Sequence, residues 1–463
     1  LLNSKLRLVC FLCVGAALVM TSIFWGYTND AHGRSGRNLV IVRDTEIETI
    51  LKHWSKPVIE AAGLKVDAIK FILIQSPQIN AFVAGGQNIF LYTGLLQEAE
   101  SAEEVVGVIA HELGHIRGGH LIRTQSALEN ASYEALVGTI IGIGAALVTG
   151  EGGLAAAASA GFGSSAQNRF LAFSRVQEST ADQAALSYFE DAGLSPVGLV
   201  NFMEKLEDQE LLPASQQTEY IRTHPLTRDR VAALKHGYDT SPHKNEDYPR
   251  DWEDGFARVK AKLDGFIYPE QIQWKYDDND KSLAADYARA IAAYRLNKED
   301  AAIKLVDSLL AREKFNPFFL ELKGQMLVDF GKVEEALPYY KESIERFPYG
   351  ALIRISYGHA LIESAGQDNE GQLKEAIVHL QRAARDERRS PRVFRLLATA
   401  YGRLGETAWA TLYLAEEALL IQRFDYALRQ AETSLKGLEE GSTAWLRAQD
   451  IVKAVKTYQK NAE

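Results

Sequence analysis

The sequence has little cysteine and less positive than negative charge. Two of its 463 residues are cysteines, Cys10 and Cys13, and both lie inside one apolar segment near the N-terminus. The rest of the chain can therefore form no intramolecular disulfide. The net charge of −10 leaves no broad basic surface to neutralise phosphate groups, and no interleaved basic and aromatic stretch is suited to stacking bases. We therefore expect no nucleic-acid partner.

Long apolar runs are also scarce, and the clearest one covers residues 8–27. It has no charged residue, follows Lys5 and Arg7, and is long enough to cross a bilayer as a helix. The basic flank predicts a cytoplasmic N-terminus and an exported remainder. We interpret residues 1–29 as a signal peptide or an N-terminal membrane anchor, since no clean cleavage site decides between the two. The alternative is a buried core helix.

A second apolar stretch lies between Glu134 and Gln167 and is rich in alanine and glycine. Its uncharged run is short for a membrane span and is interrupted by glycines. The pattern indicates a mobile helical hairpin near the functional site, or a surface that touches membrane or substrate. Plain core packing explains the composition equally well.

The C-terminal part, residues 281–463, has a period of 34 residues. Ala290, Gly324 and Gly358 are each 34 residues apart, and a small residue is needed where paired helices approach closely. This resembles the tetratricopeptide repeat, whose unit is a helix pair. We expect about four repeats over residues 285–432 and one further helix, stacked as an α-solenoid that binds another protein. An unrelated helical bundle is the alternative.

The middle of the chain, residues 30–265, is predicted to be a separate α+β domain, joined to the repeats by a polar connector over residues 266–280. Its early part alternates β-forming residues around Gly85 and Gly86, which predicts two short strands and a tight turn. The remainder reads as helical. The whole chain is therefore expected to be α+β and mainly α, with one small sheet.

The segment HELGHIRGGH, residues 111–120, is predicted to lie on a buried helix. Ser101 and Glu104 form a capping-box pattern, and apolar residues follow at helical spacing from Ala102 onward. His111 and His115 are four residues apart and therefore share one face of that helix.

Two imidazoles on one helical face can bind the same metal ion, and this residue pattern is typical of zinc. Glu112 lies between His111 and His115, beside the ligands and suited to act as the general base of hydrolysis. The sequence therefore predicts a zinc peptidase site with Glu112 as the catalytic residue and one Zn²⁺ per chain.

A catalytic zinc site needs a third protein ligand and an open position. The pattern with a third histidine requires it at position 121, which is Leu121, so His120 is expected to be a polar neighbour and not a ligand. Glu178 and Asp182 are again four residues apart on a probable helix. Glu178 is the predicted third ligand, and Asp182 is expected to orient a ligand histidine.

These motifs resemble the zinc peptidase family that includes HtpX and the CAAX-processing protease. The resemblance rests on HELGH, on the ExxAD element that begins at Glu178, on NAFVAGGQNIF from Asn80, and on Thr223-His224-Pro225 followed by Arg230. The N-terminal span and the C-terminal repeats make the chain similar in particular to the periplasmic BepA group.

The resemblance implies a zinc-dependent endopeptidase in the cell envelope, located in the periplasm of a Gram-negative bacterium. Its substrates would be misfolded or misassembled proteins, by resemblance outer-membrane proteins, and its repeats would engage these proteins and their assembly machinery. The alternative function is a chaperone or docking scaffold whose metal site is structural or rarely used.

The resemblance also implies roles for further residues. Arg230 would support Asp182, and a substrate strand would pair with the segment containing Asn80, Ala81, Phe82, Gly85 and Gly86. The proline after His224 favours an extended backbone there, as in a loop laid across a cleft. His224 is expected to be an inhibitory fourth metal ligand or a donor to the oxyanion, and an ordinary loop residue is the remaining alternative.

Overall fold

The computed structural model describes residues 40–120, 164–207, 217–366 and 369–462. The apolar segment 8–27 and most of the Ala/Gly-rich stretch, up to residue 163, lie outside the described residues. Among the described helices, none is both long and apolar enough to cross a membrane.

One small sheet lies near the start of the described chain. Its strands are β1 (Val40–Val42), β2 (Lys70–Gln75), β3 (Ala81–Ala84) and β4 (Asn88–Tyr92). The spatial order is β1-β2-β4-β3, with β2 and β4 parallel and the other two pairs antiparallel. The turn at Gly85 and Gly86, which both have positive φ, joins β3 to β4 as predicted, and β3 forms one edge of the sheet.

Helices make up most of the same half. They are α1 (Thr45–Ala61), α2 (Thr93–Glu98), α3 (Ala102–Arg117), α4 (Ser164–Ala192), α5 (Val197–Glu207), α6 (Glu219–Thr223), α7 (Arg228–Thr240), α8 (Arg250–Ile267) and α9 (Ile272–Lys275). The mainly helical α+β prediction is confirmed.

Helix α3 begins where the capping box predicts. The Ser101 hydroxyl accepts a hydrogen bond from the Glu104 amide at 3.4 Å, and Glu104 reaches back to the amide of Glu100 at 3.1 Å. Its apolar face is fully buried in the core. A Cβ at Gly114 would lie 2.8 Å from the Ala181 backbone, so this glycine lets α3 and α4 pack closely enough to bring their side chains to one site.

The C-terminal half consists of successive helix pairs. The helices are α10 (Leu283–Arg295), α11 (Glu299–Arg312), α12 (Pro317–Asp329), α13 (Val333–Arg346), α14 (Ala351–Ser364), α15 (Glu370–Asp386), α16 (Pro391–Arg403), α17 (Thr407–Leu420), α18 (Phe424–Leu435) and α19 (Thr443–Ala462). A Cβ at Gly358 would lie 2.7 Å from Leu380 of the paired helix, which explains the recurring small residue. Two helices, instead of the one expected, follow the fourth pair.

A buried charged cluster joins the two halves. Glu46, at the start of α1, is 1% exposed and accepts hydrogen bonds from Arg258 at 2.9 Å, Lys262 at 3.1 Å and Tyr287 of the first repeat at 2.7 Å. Burial alone would raise the pKa of Glu46, but Lys262 and Arg258 lower it below its ordinary value. The carboxylate is therefore held ionised between the domains.

Candidate metal centre and active site

The predicted site residues converge from two helices and one loop. Helix α3 supplies His111, Glu112 and His115, and helix α4 supplies Glu178. The residue that follows α6, His224, completes the group. All five residues are at most 8% exposed, so the fold places a cluster of ionisable groups in its interior.

The ligand atoms of the three predicted metal ligands face one another. The Nε2 atoms of His111 and His115 are 3.1 Å apart, and Glu178 oxygens lie 3.2 Å and 3.4 Å from them respectively. With His224 included, the candidate ligand atoms all lie within 4.8 Å of one another.

This arrangement fits a tetrahedral metal ion. Donor atoms bound at about 2.0–2.1 Å to a tetrahedral centre lie roughly 3.3 Å apart, close to the three separations just given. Two imidazole nitrogens and one carboxylate also match the donors found in open zinc sites. The residues present therefore suit a metal ion, and the predicted set of His111, His115 and Glu178 is brought together.

Asp182 holds one of these histidines in place. Its Oδ1 lies 2.9 Å from the Nδ1 of His111, which leaves Nε2 to face the other ligands. Burial would lower the pKa of His111, but hydrogen bonds with Asp182 and Glu178 raise it to about 9. Arg230 in turn donates to both Asp182 oxygens, at 2.6 Å and 2.9 Å. Arg230, Asp182 and His111 are thus linked by successive hydrogen bonds, as the prediction of orienting residues requires.

His120 is closer to the site than helical spacing suggests. Helix α3 ends at Arg117, and the chain turns through Gly118 and Gly119, whose φ is +62°. His120 therefore folds back, with its Nδ1 2.9 Å from the Nδ1 of His115. It contacts the Nδ1 of His115, whereas the Nε2 of His115 faces His111 and Glu178.

Glu112 is fully buried, and neither of its carboxylate oxygens has a hydrogen-bond partner within the described part of the chain. Its Oε1 lies 3.5 Å from the Nε2 of His224. A buried carboxylate without hydrogen bonds is costly, and such groups mark sites where a partner arrives during function.

His224 contacts both the ligands and the sheet. Its Nδ1 lies 3.3 Å from each Glu178 oxygen, and its Nε2 lies 3.1 Å from the carbonyl oxygen of Ala81 in β3. Because a carbonyl only accepts, Nε2 carries the proton of that hydrogen bond. Burial would lower the pKa of His224, but the carboxylates of Glu178 and Glu112 raise it.

Tyr220 is a residue of the site that the sequence reasoning missed. Its ring is 1% exposed and stacks on the His224 ring with centroids 4.8 Å apart. Its amide also donates to the Ile79 carbonyl at 3.1 Å, just before β3. Its position four residues before His224 was the available signal, because the short helix α6 brings the two rings together.

The predicted substrate-strand residues lie in or beside β3. Ala81 and Phe82 are in the strand, Asn80 directly precedes it, and Gly85 and Gly86 form the following turn. Asn80 is fully buried and accepts a hydrogen bond from the Thr223 hydroxyl at 3.2 Å. Only the Ala81 carbonyl among them contacts His224 directly.

Residues 43–237 match Peptidase family M48. Over 412 residues, 87% of this chain and 81% of the relative, the chain is 25% identical to the beta-barrel assembly-enhancing protease of Escherichia coli (strain K12). It is 27% identical over 168 residues to the metalloprotease LoiP of the same organism, covering 36% of this chain and 62% of that protein.

Among solved structures, YrrB, a TPR protein, aligns with 38% of this chain and 91% of its own, at 18% identity and a TM-score of 0.32. The assignment of residues 281–463 as repeats therefore depends on their successive helix pairs and not on this structural likeness. The buried cluster of His111, His115, Glu178 and His224, which could hold a metal ion, lies within the residues that match this family. Residues 43–237 are therefore a peptidase domain of family M48, and the chain is a metallopeptidase homologous to the beta-barrel assembly-enhancing proteases.

Proposed function

We propose that this protein is a zinc-dependent endopeptidase of the cell envelope that cleaves misfolded or misassembled proteins recruited through its repeats. The observation that carries the proposal is the close approach of ligand atoms from three residues, at separations of 3.1 to 3.4 Å, beside the carboxylate of Glu112, which has no hydrogen-bond partner among the described residues. A purely structural zinc site has a closed set of four ligands and needs no such base.

His111, His115 and Glu178 would hold the zinc ion. When bound there, zinc would lower the pKa of a water molecule toward about 7 and stabilise negative charge on the substrate carbonyl oxygen. Asp182 would keep the Nε2 of His111 free for the metal by accepting the proton of Nδ1 in a hydrogen bond. Glu178 is itself fixed by Arg230, whose Nη1 lies 3.2 Å from it.

Glu112 would act as general base and then as general acid. Its two oxygens are buried and form no hydrogen bond with the part of the chain that the structure describes, so they can accept a proton from the attacking water molecule. The same carboxyl group would then donate that proton to the leaving amine of the cleaved peptide bond. Burial keeps bulk water from competing for this proton.

The edge of β3 would bind the substrate backbone. In the antiparallel ladder, the backbone groups of Asn80 and Phe82 face β4. The carbonyls of Ile79, Ala81 and Val83 therefore point away from β4, to the outer edge of the sheet. An extended peptide can pair with such an edge through main-chain hydrogen bonds, which accept many side chains. This geometry favours cleavage with weak side-chain specificity.

His224 would act as an inhibitory latch. Its Nε2 donates to the Ala81 carbonyl, so Nδ1, which contacts Glu178, is the nitrogen that would be offered to a metal ion once its proton has left. Such a nitrogen would fill the fourth metal position and give the closed set typical of structural sites. The grouping of His224 with the candidate ligand atoms, all within 4.8 Å of one another, supports the latch; a donor to the oxyanion would act through an N–H group instead.

Relatives support the cellular setting. Their names, beta-barrel assembly-enhancing protease and metalloprotease, support a role in the assembly and quality control of outer-membrane proteins. We place the protein in the periplasm of a Gram-negative bacterium, exported or anchored through residues 8–27. Its partners would be those proteins and their assembly machinery, and contact with the membrane remains part of the proposal.

The test compares Glu112→Gln with the parent protein. We expect the variant to retain zinc, measured by metal analysis, and to lose cleavage of a flexible substrate such as casein, because only the base is removed. Glu103→Gln, on the first turn of the same helix, is the matched control and should cleave normally. Cleavage by the Glu112 variant at the parental rate would refute the assigned mechanism.

The same variant separates proteolysis from the scaffold alternative. A chaperone or docking protein would support its partner's assembly equally well with glutamine at position 112, since partner binding does not use the base. An endopeptidase would bind the same partners but fail to degrade them.

A further inference from the structure

Arginine is concentrated in one short part of the repeats, although the whole chain is acidic. Between residues 382 and 395, at the end of α15 and the start of α16, six arginines occur with two acidic residues. One of the acidic residues, Glu387, already binds Arg43 at 2.7 and 2.8 Å. Arg395 is in turn paired with Glu417 at 2.8 Å, so the arginines outnumber the carboxylates here but are not all unpaired.

A buried arginine lies next to this cluster. Arg354 of α14 is 6% exposed, and its guanidinium donates to the Nδ1 of His379 at 2.9 Å and to the Pro348 carbonyl at 2.8 Å. Neither acceptor carries a charge: the Pro348 carbonyl is neutral, and burial and Arg354 lower the pKa of His379, which favours its neutral form. Burial and the nearby Arg382 likewise lower the pKa of Arg354.

Buried cations in proteins are normally paired with an anion. Within the described residues, Arg354, Arg382 and Arg385 occur in no ion pair, although the carboxylate of Asp386 is near enough to oppose the lowering of the Arg354 pKa. Arg382 and Arg385 are exposed, so their guanidinium groups are accessible to an anionic ligand.

A groove of about 370 Å³ opens at the same place. It is lined by Val378, Gln381, Arg382 and Arg385, which lie on successive turns of α15. Val378 is 63% exposed, so the groove presents an apolar side chain beside two guanidinium groups. We call this surface the arginine groove.

We propose that the arginine groove binds an acidic peptide segment of a partner protein, with carboxylates on Arg382 and Arg385 and an apolar side chain on Val378. The guanidinium fork binds carboxylates through paired charge-assisted hydrogen bonds. Residues three apart on a helix are about 5–6 Å apart, close to the roughly 6.6 Å between alternate residues of an extended peptide. The groove therefore matches an extended chain with acidic residues at every second position.

A membrane surface fits these observations less well. Binding to a bilayer interface uses apolar side chains that project from a broad basic face. Here the apolar contact and the guanidinium groups line a concavity. The contact between Arg43 and Glu387 also places the groove at the border between the repeats and the start of the peptidase domain, so a bound partner would be held beside that domain.

The test measures binding of a fluorescein-labelled peptide Leu-Ser-Glu-Ser-Glu, whose leucine and two glutamates lie on one face of an extended chain, to the Glu112→Gln chain, by fluorescence anisotropy. This background prevents cleavage, so the result does not depend on the proposed peptidase function. We expect saturable binding that weakens with salt. The double variant Arg382→Gln/Arg385→Gln should bind at least about tenfold more weakly, because it loses two charge-assisted contacts.

The matched control is Arg423→Gln/Arg429→Gln, which removes the same charge from exposed positions at the start of α18. It should bind like the parent, and a peptide with lysine in place of glutamate should not bind. Equal binding by the Arg382/Arg385 variant, or equal weakening in both double variants, would overturn the proposal. Binding to phosphatidylglycerol vesicles without binding to the peptide would also overturn it and assign the groove to a membrane.

Discussion

Replacing Asp182 by asparagine would test how the metal ligands are held. The carboxylate is 2% exposed and bonds three nitrogens, the Nδ1 of His111 and two from Arg230, at 2.6 to 2.9 Å. Asparagine has the same shape but one acceptor oxygen and one amide donor. If its oxygen takes the place of Oδ1, which contacts both His111 and the Nη2 of Arg230, its amide group faces the Nε of Arg230, donor against donor.

The expected loss of stability follows from the charge that remains. Removing one partner of a buried ion pair costs about 3–5 kcal/mol. Arg230 keeps Glu178 at 3.2 Å and the Pro225 carbonyl at 2.8 Å, so we expect about 3 kcal/mol, the lower end. Loss of the partner of a metal-binding histidine typically weakens metal affinity by about 10- to 100-fold, and we expect the same for zinc.

Two measurements check these values. Urea unfolding of the metal-free proteins should show a lower midpoint for Asp182→Asn, and competition with a chromophoric chelator should show weaker zinc binding. The control is Asp191→Asn, an exposed position on the same helix, where we expect a change within about 0.5 kcal/mol. Parental zinc affinity and stability in the Asp182 variant would refute the orienting role.

Three further predictions address the ligands, the latch and the domain junction. His111→Ala and Glu178→Ala should each lose zinc almost completely in metal analysis, whereas His120→Ala should retain it; zinc loss from the His120 variant would overturn the ligand assignment. His224→Ala should cleave casein, or itself, faster than the parent, and slower cleavage with unchanged zinc content would exclude the latch. The lowered pKa of Glu46 predicts stabilisation that is complete above the ordinary carboxyl pKa near 4.3 and is lost as pH falls through the native pKa. Glu46→Gln should therefore be less stable than the parent in urea at neutral pH, with the difference shrinking below about pH 4; a difference that does not change with pH would contradict this.

Local patterns in the sequence were sufficient to predict the helix that carries the motif. The capping box fixed the start of α3 at Ala102, and the helical period placed His111 and His115 on one face. Both features depend on residues within a few positions of one another, so no tertiary information was needed. The pairing of Glu178 and Asp182 on α4 was predictable for the same reason.

Features that depend on distant parts of the chain were not predictable in this way. His120 turns back toward His115 because the helix ends before Gly119, which has a left-handed backbone conformation. The prediction for His120 assumed that the helix continued. The stacking of Tyr220 on His224 depends on how α6 docks against β3. The parallel pairing of β2 with β4 was also not predictable, because the alternation of residues within a strand does not show which other strand it pairs with.

The loop that carries His224, the proposed latch, also contacts the edge of β3, the proposed binding place of the substrate. Tyr220 donates to the Ile79 carbonyl and His224 to the Ala81 carbonyl, so two of the outward-facing acceptors at the edge of β3 are already bonded. An incoming peptide that pairs along this edge would have to displace both donors. Displacement of His224 from Ala81 would at the same time remove its Nδ1 from the ligand cluster, because both nitrogens belong to one rigid ring. Substrate binding would therefore open the fourth metal position, and the site would become competent only when an extended chain is present.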